Sequence, residues 1–301
     1  MDIILQAVVP VGFIIVLGYI AGKRLDLDSS TLSQLSVYIL APALVTDSFY
    51  RSSVYGSVGI GFLLGYGIIS LILYGAIVFF CRIFRLPREF RRNLFAILLC
   101  PNNGNMGLSI VAFAFGQDGL QRAIIYMIGS SILLFGILPA LLKGESFLKS
   151  LNTIFRLPLI WAMLIGIGLQ ITHVALPFNL GKSIEWLGIS SIPIALIILG
   201  IQLSRTAIVF NLTQFLASVV KLLFAPFLAY FVGLWLGFKG LDLQVFVIQT
   251  AMPTAVNTAV MVEEFGGDTI LVSRTIILST LLSFITIPLV ILLVSPLSPS
   301  S

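Results

Sequence analysis

The 301-residue chain is 58% hydrophobic and only 10% charged, with a mean hydropathy of +1.11, whereas soluble domains carry about 25% charged residues. That excludes a soluble enzyme or nucleic-acid binder and implies an all-α integral membrane protein, long enough for about ten spans at roughly 20 residues each plus short connections. The net charge of +5 follows the loops, so it reads as an orientation signal rather than as the mark of an acidic partner.

Predicted spans run over residues 3–22, 32–50, 56–81, 93–115 and 122–142, then over 156–172, 184–204, 212–237, 243–264 and 270–294, with element ends good to about three residues. Met1-Asp2 leads into apolar residues with neither a basic segment nor a small-residue cleavage pattern, so the first span is read as retained. With the N-terminus outside, Lys23, Arg24, Arg82, Arg85, Arg88, Arg91, Arg92, Lys143, Lys149, Arg156, Arg205 and Arg274 fall on the cytoplasmic side. Arg51, Arg122, Lys182 and Lys239 fall opposite. Twelve against four predicts both termini outside the cytoplasm, in a plasma or bacterial inner membrane. Cys81 and Cys100 offer neither a disulfide framework nor metal spacing.

Two spans contain stretches that a lipid-facing helix cannot hold. Cys100-Pro101-Asn102-Asn103-Gly104-Asn105-Met106-Gly107 interrupts the fourth, and Thr250-Ala251-Met252-Pro253-Thr254-Ala255-Val256-Asn257-Thr258 the ninth. Proline removes a backbone donor, and asparagine amides need partners that hydrocarbon lacks. Irregular backbone at this depth survives only when buried in protein or lining a water-filled cavity. Both spans are therefore expected to break, with Pro101 and Pro253 in the first turn of a new half-helix and Gly104 easing the break. The N-termini of those half-helices attract an anion. Asn102, Asn103, Asn105, Met106, Thr254, Asn257 and Thr258 are the candidate substrate-binding residues. The preceding half-helices would end in free carbonyls near Cys100 and Met252, suited to a cation.

The halves resemble each other. Pro10 and Gly18 match Pro158 and Gly166, Pro42 matches Pro193, Pro101 and Asn105 match Pro253 and Asn257, Asp118 matches Asp268, and Pro139 matches Pro288, at offsets between 148 and 152. Five spans per copy is odd, so the second copy enters the membrane upside down. Residues 1–150 and 151–301 then form two inverted repeats, of the kind found in bile acid carriers and antiporters.

Lys221 falls in the middle of the eighth span. An ionisable group there costs at least about 2.5 kcal/mol, so it is assigned to the anion site in preference to snorkelling or pairing with a carbonyl. Asp47, near an outer span end, is held only as a proton carrier or partner of Lys221. Glu263 and Glu264 read as a solvated helix end, the Gly61–Gly65 spacing as helix packing, and His173 is assigned no role.

The crossing stretch Pro101-Asn102-Asn103-Gly104-Asn105-Met106-Gly107 resembles the Pro-Asn-Thr-Leu-Val-Met-Gly pattern of the auxin efflux carrier family, which includes bacterial malate permease-like proteins. In the second half Pro253 is followed by Glu263, Glu264 and Phe265, and later by Ser279, Thr280 and Pro288, again similar to that family. The resemblance implies a scaffold of spans 1, 2, 6 and 7, a transport domain of spans 3 to 5 and 8 to 10, elevator-like alternating access, and a homodimer. It implies transport of an organic anion, with a small carboxylate favoured over auxin because the plant pattern lacks an asparagine at the place of Asn257. No GxxxxGK[ST] motif is present, so transport runs down a gradient or is coupled to sodium or protons. No cofactor or enzymatic activity is expected. The alternatives are a sodium-coupled symporter of amphipathic, bile acid-like anions and a ligand-binding membrane sensor.

Overall fold

The computed structural model describes residues 2–51, 56–143, 154–174, 176–205, 209 and 211–295. Lys149 and part of the connection at 143–155 lie outside these. The described residues are helical: α1 (Asp2–Arg24), α2 (residues 29–51), α3 (Ser57–Ile83), α4 (Arg88–Leu99), α5 (103–115), α6 (117–143), α7 (Pro158–Ile171), α8 (Leu180–Arg205), α9 (Leu212–Trp235), α10 (Gly240–Thr250), α11 (Asn257–Phe265) and α12 (Thr269–Val294). Among them, six helical stretches, one of them α5 and α6 taken together, are long and apolar enough to cross a membrane, and Pro158–Ile171 is a shorter apolar helix. The helix ends fall within five residues of the expected span ends, the largest differences being the starts of α4 (Arg88 against 93) and α6 (117 against 122).

Local chemistry sets the boundaries. Asp28 caps α2 by accepting from the amides of Ser30 (3.0 Å) and Thr31 (3.2 Å), Asn211 caps α9 through Thr213 (2.8 Å), and Asp268 caps α12 through Leu271 (2.9 Å). Gly116, at φ 61° and ψ −152°, separates α5 from α6 with a conformation that favours glycine.

Three prolines inside helices follow π-helical turns: Ser36–Leu40 before Pro42, Ile132–Ile137 before Pro139, and Val220–Phe224 before Pro226. Proline has no N–H and its ring clashes with the carbonyl four residues back. The wider i→i+5 turn lies over that carbonyl in each case, so the helix continues where an α-helical ladder would break.

The helices sort into two groups by packing. In one, α1 lies along α8 and α2 along α7, with α2 also against α8. Backbones come close there: a Cβ on Gly18 would sit 2.4 Å from the Ile197 carbonyl oxygen, and one on Gly200 would sit 2.2 Å from that of Ile15. Such approach is how helices associate without a hydrophobic driving force between them. In the other group α3 packs on α4 and α9, α9 on α10 and α12, and α12 on α4, α10 and α11. Gly61 and Gly65 serve this packing, their faces meeting the Phe238 and Phe246 rings. An ion pair of Arg122 with Asp242 ties α6 to α10.

Candidate functional site

Both expected breaks are present. Between α4 and α5, and between α10 and α11, the chain is extended, and the two extended segments cross antiparallel at a Pro101–Thr254 bridge. The Asn102 amide donates to the Pro253 carbonyl (2.7 Å) and the Ala255 amide to that of Cys100 (2.8 Å). The prolines are thus not in the first helical turn as expected: α5 begins at Asn103 and α11 at Asn257. Extended backbone suits proline's fixed φ, and neither residue has an N–H to lose from the bridge.

The carbonyls ending α4 are not free for a cation, which corrects the expectation for the Cys100 end. Ile97 accepts from the Thr254 hydroxyl (3.0 Å), Leu98 from the Lys221 ammonium (3.0 Å), Leu99 from the Tyr66 hydroxyl (2.8 Å), and Cys100 from Ala255. Donors from α3, α9 and the second crossing segment thus occupy the negative end of this half-helix. Lys221 is 2% exposed and sits behind the crossing rather than in it. Asp47 pairs with Arg51 (2.7 Å), which also reaches Glu185 (2.8 Å), so it is not the partner of Lys221.

On the other side of the crossing lies a cavity of about 80 Å³. The crossing contributes Pro101, Asn102, Asn103, Gly104, Asn105 and Asn257 to its wall. α2 contributes Ser36, α6 contributes Ser130 and Ser131, and α8 contributes Ser191. The cavity therefore lies between the two helix groups. Met106, Pro253, Thr254, Thr258 and Lys221 do not line it. Met106 packs below, receiving the Ser283 hydroxyl at its sulfur (3.7 Å). The four serines were not anticipated; small hydroxyl residues within apolar spans are a signal too common to single out before their convergence is seen.

The polar balance of this wall is distinctive. Asn102 is 3% and Asn103 1% exposed, yet the Asn102 Nδ2 and both side-chain polar atoms of Asn103 have no hydrogen-bond partner. Buried amides normally find one. Beside them α5 starts, and as in any helix its first N–H groups lack partners within the helix. The lining holds no Lys, Arg, Asp or Glu, and the described residues contain no cluster of three or more His, Cys, Asp or Glu side chains able to hold a metal. Gln249, fully buried and also unpaired at both amide atoms, lies against Gly107, where a Cβ would come within 2.3 Å of its Oε1.

Broken helices crossing inside an apolar bundle, beside a cavity with buried amides on its wall, define a membrane transport protein. The chain belongs to the membrane transport protein family, that of the auxin efflux carriers, whose model matches residues 3–150 and 144–291. It is similar to an uncharacterized transporter of Methanothermobacter thermautotrophicus, 28% identical over 292 residues covering 94% of this chain and 96% of that one. It is also similar to an uncharacterized transporter of Methanocaldococcus jannaschii, 26% identical over 216 residues covering 69% and 70% of the two chains.

Proposed function

We propose that the protein is a secondary carrier of small organic anions that works by alternating access, with the anion held in the cavity at the crossing. The observation that carries this reading is the set of buried, unpartnered Asn102 and Asn103 amide atoms on the cavity wall. Leaving such a donor unmet costs about 1–3 kcal/mol, which a bound carboxylate would recover. Two helix N-termini, each worth about half a positive charge, suit one carboxylate without a basic side chain. A volume of about 80 Å³ favours acids of the size of acetate or lactate, with malate at the upper end, over amphipathic bile acid-like anions.

The packing pattern supports ten spans in two inverted repeats, residues 1–150 and 151–301, with α4–α5 and α10–α11 each forming one broken span. Exchanging the halves turns the α1–α8 contact into the α7–α2 contact, and both are among the extensive packings of the described helices. α1, α2, α7 and α8 then form the scaffold, and the remaining helices move against it as an elevator. The family resemblance supports a homodimer, and the distribution of basic residues supports termini outside the cytoplasm of a plasma membrane. The α4 carbonyls already accept from Thr254, Lys221 and Tyr66, and the Lys221 ammonium makes that end the poorer place for a sodium ion.

Uptake of labelled acetate, lactate and malate into proteoliposomes, with and without a sodium gradient, tests this. Saturable, sodium-independent uptake of a small monocarboxylate is expected. Sodium dependence would favour a symporter, and binding without flux a sensor.

A further inference from the structure

A second, larger cavity has no part in the proposed transport path. It is an apolar groove of about 680 Å³ between α3, α4 and α9, walled by residues including Leu73, Phe80, Phe90, Leu98 and Leu216, with Thr213 its one polar side chain. Along α3 it runs from Leu73 to Ile83, ten residues or about 15 Å of helix, which is half of the roughly 30 Å hydrocarbon core and so one leaflet.

One end of the groove carries concentrated charge. Its lining residues Ile83, Phe84, Leu86 and Phe90 alternate along the chain with Arg82, Arg85 and Arg88, all exposed, and Arg91 and Arg92 follow within a turn. None of the five takes part in an ion pair among the described residues, and the one acid in the run, Glu89, pairs with none of them. Unpaired guanidinium forks at the membrane boundary suit a phosphate, which they bind through two parallel N–H groups.

We infer that an anionic phospholipid seats here, with an acyl chain along the groove and its phosphate against Arg82, Arg85 and Arg88. A second copy of the chain is the poorer occupant: a two-fold contact through this face would set the arginine run of one protomer against that of the other. Anionic headgroups are drawn to basic residues flanking a span at about 1 kcal/mol each. The inner end of the groove is Leu98, whose carbonyl receives Lys221, so the lipid chain would touch the end of the half-helix that leads into the crossing.

The test is thermal unfolding of the purified, delipidated full chain with phosphatidylglycerol, with phosphatidylcholine of the same acyl chains, and with inorganic phosphate. Phosphatidylglycerol alone is expected to raise Tm, by about 3 °C or more. The shift is expected to vanish in Arg82→Gln/Arg85→Gln/Arg88→Gln, and also in Ala76→Phe/Ala217→Phe, which fills the groove and leaves the arginines in place. An equal shift with phosphatidylcholine, a shift with phosphate alone, or a shift that survives both variants would overturn the assignment. Native mass spectrometry of the wild type gives a readout independent of the variants: retention of phosphatidylglycerol over phosphatidylcholine supports the site, and equal retention contradicts it.

Discussion

The Asn102 amide donates to the Pro253 carbonyl across 2.7 Å, although the residues are half the chain apart. With the reciprocal bond from Ala255 to Cys100, it joins two interrupted helices back to back and satisfies backbone that hydrocarbon would leave stranded. The side chains of Asn102 and Asn103 are thereby left for the cavity rather than for repairing the break.

Lys221 holds the end of α4. Replacing it with Met leaves the Leu98 carbonyl without its donor, and a loss of about 1–3 kcal/mol of stability is expected. The KM for the transported anion should change by no more than about twofold, since the ammonium is not on the cavity wall. Melting curves and uptake kinetics check this together. A large rise in KM with Tm unchanged would return Lys221 to the anion site.

Gly107 gives Gln249 its place. Gly107→Ala puts a Cβ within 2.3 Å of the Oε1 of the fully buried Gln249 and 3.1 Å of the Met252 Cγ, and overpacking of this kind costs about 1–3 kcal/mol. In the double variant with Gln249→Ala the added penalty of Gly107→Ala should shrink, as a thermal double-mutant cycle would record.

Gly18 and Gly200 set the distance between α1 and α8. Either residue changed to Val drives a side chain into backbone carbonyls, so little folded protein is expected by size-exclusion chromatography. Gly67→Val and Gly75→Val, where the added Cβ meets nothing within 4 Å, are the controls and should elute as the wild type does.

Ser191 faces the crossing from α8, across the boundary between the helix groups. Ser191→Leu fills the cavity from that side. Uptake should fall at least about tenfold, corresponding to roughly 1.4 kcal/mol of lost binding, while Tm stays close to the wild-type value. Undiminished uptake would show that the anion takes another path.

The breaks were legible in the sequence because proline, glycine and asparagine are excluded from lipid-facing helix on local grounds, and Pro101 and Pro253 carry that signal without their surroundings. Asn102, Asn103, Asn105 and Asn257 followed from the same reasoning, and all four line the cavity. The place of Lys221 was not legible because a mid-span charge signals only that a partner exists; that the partner is the Leu98 carbonyl depends on how α9 meets α4. The capping by Tyr66, the burial of Gln249 and the convergence of Ser36, Ser130, Ser131 and Ser191 are likewise products of packing between distant helices. The prolines fell short of the first turn because the bridge between the crossing segments, a long-range pairing, claims those residues as extended backbone.

The central claim is that the anion lies against Asn102 and Asn103, and equilibrium binding tests it most directly. Labelled acetate, lactate and malate would be titrated against purified wild type and Asn102→Ala/Asn103→Ala, with Tm measured on the same samples. The account predicts binding of a small monocarboxylate that weakens about tenfold or more in the double variant, with Tm no lower. Equal affinity in the two proteins would contradict it.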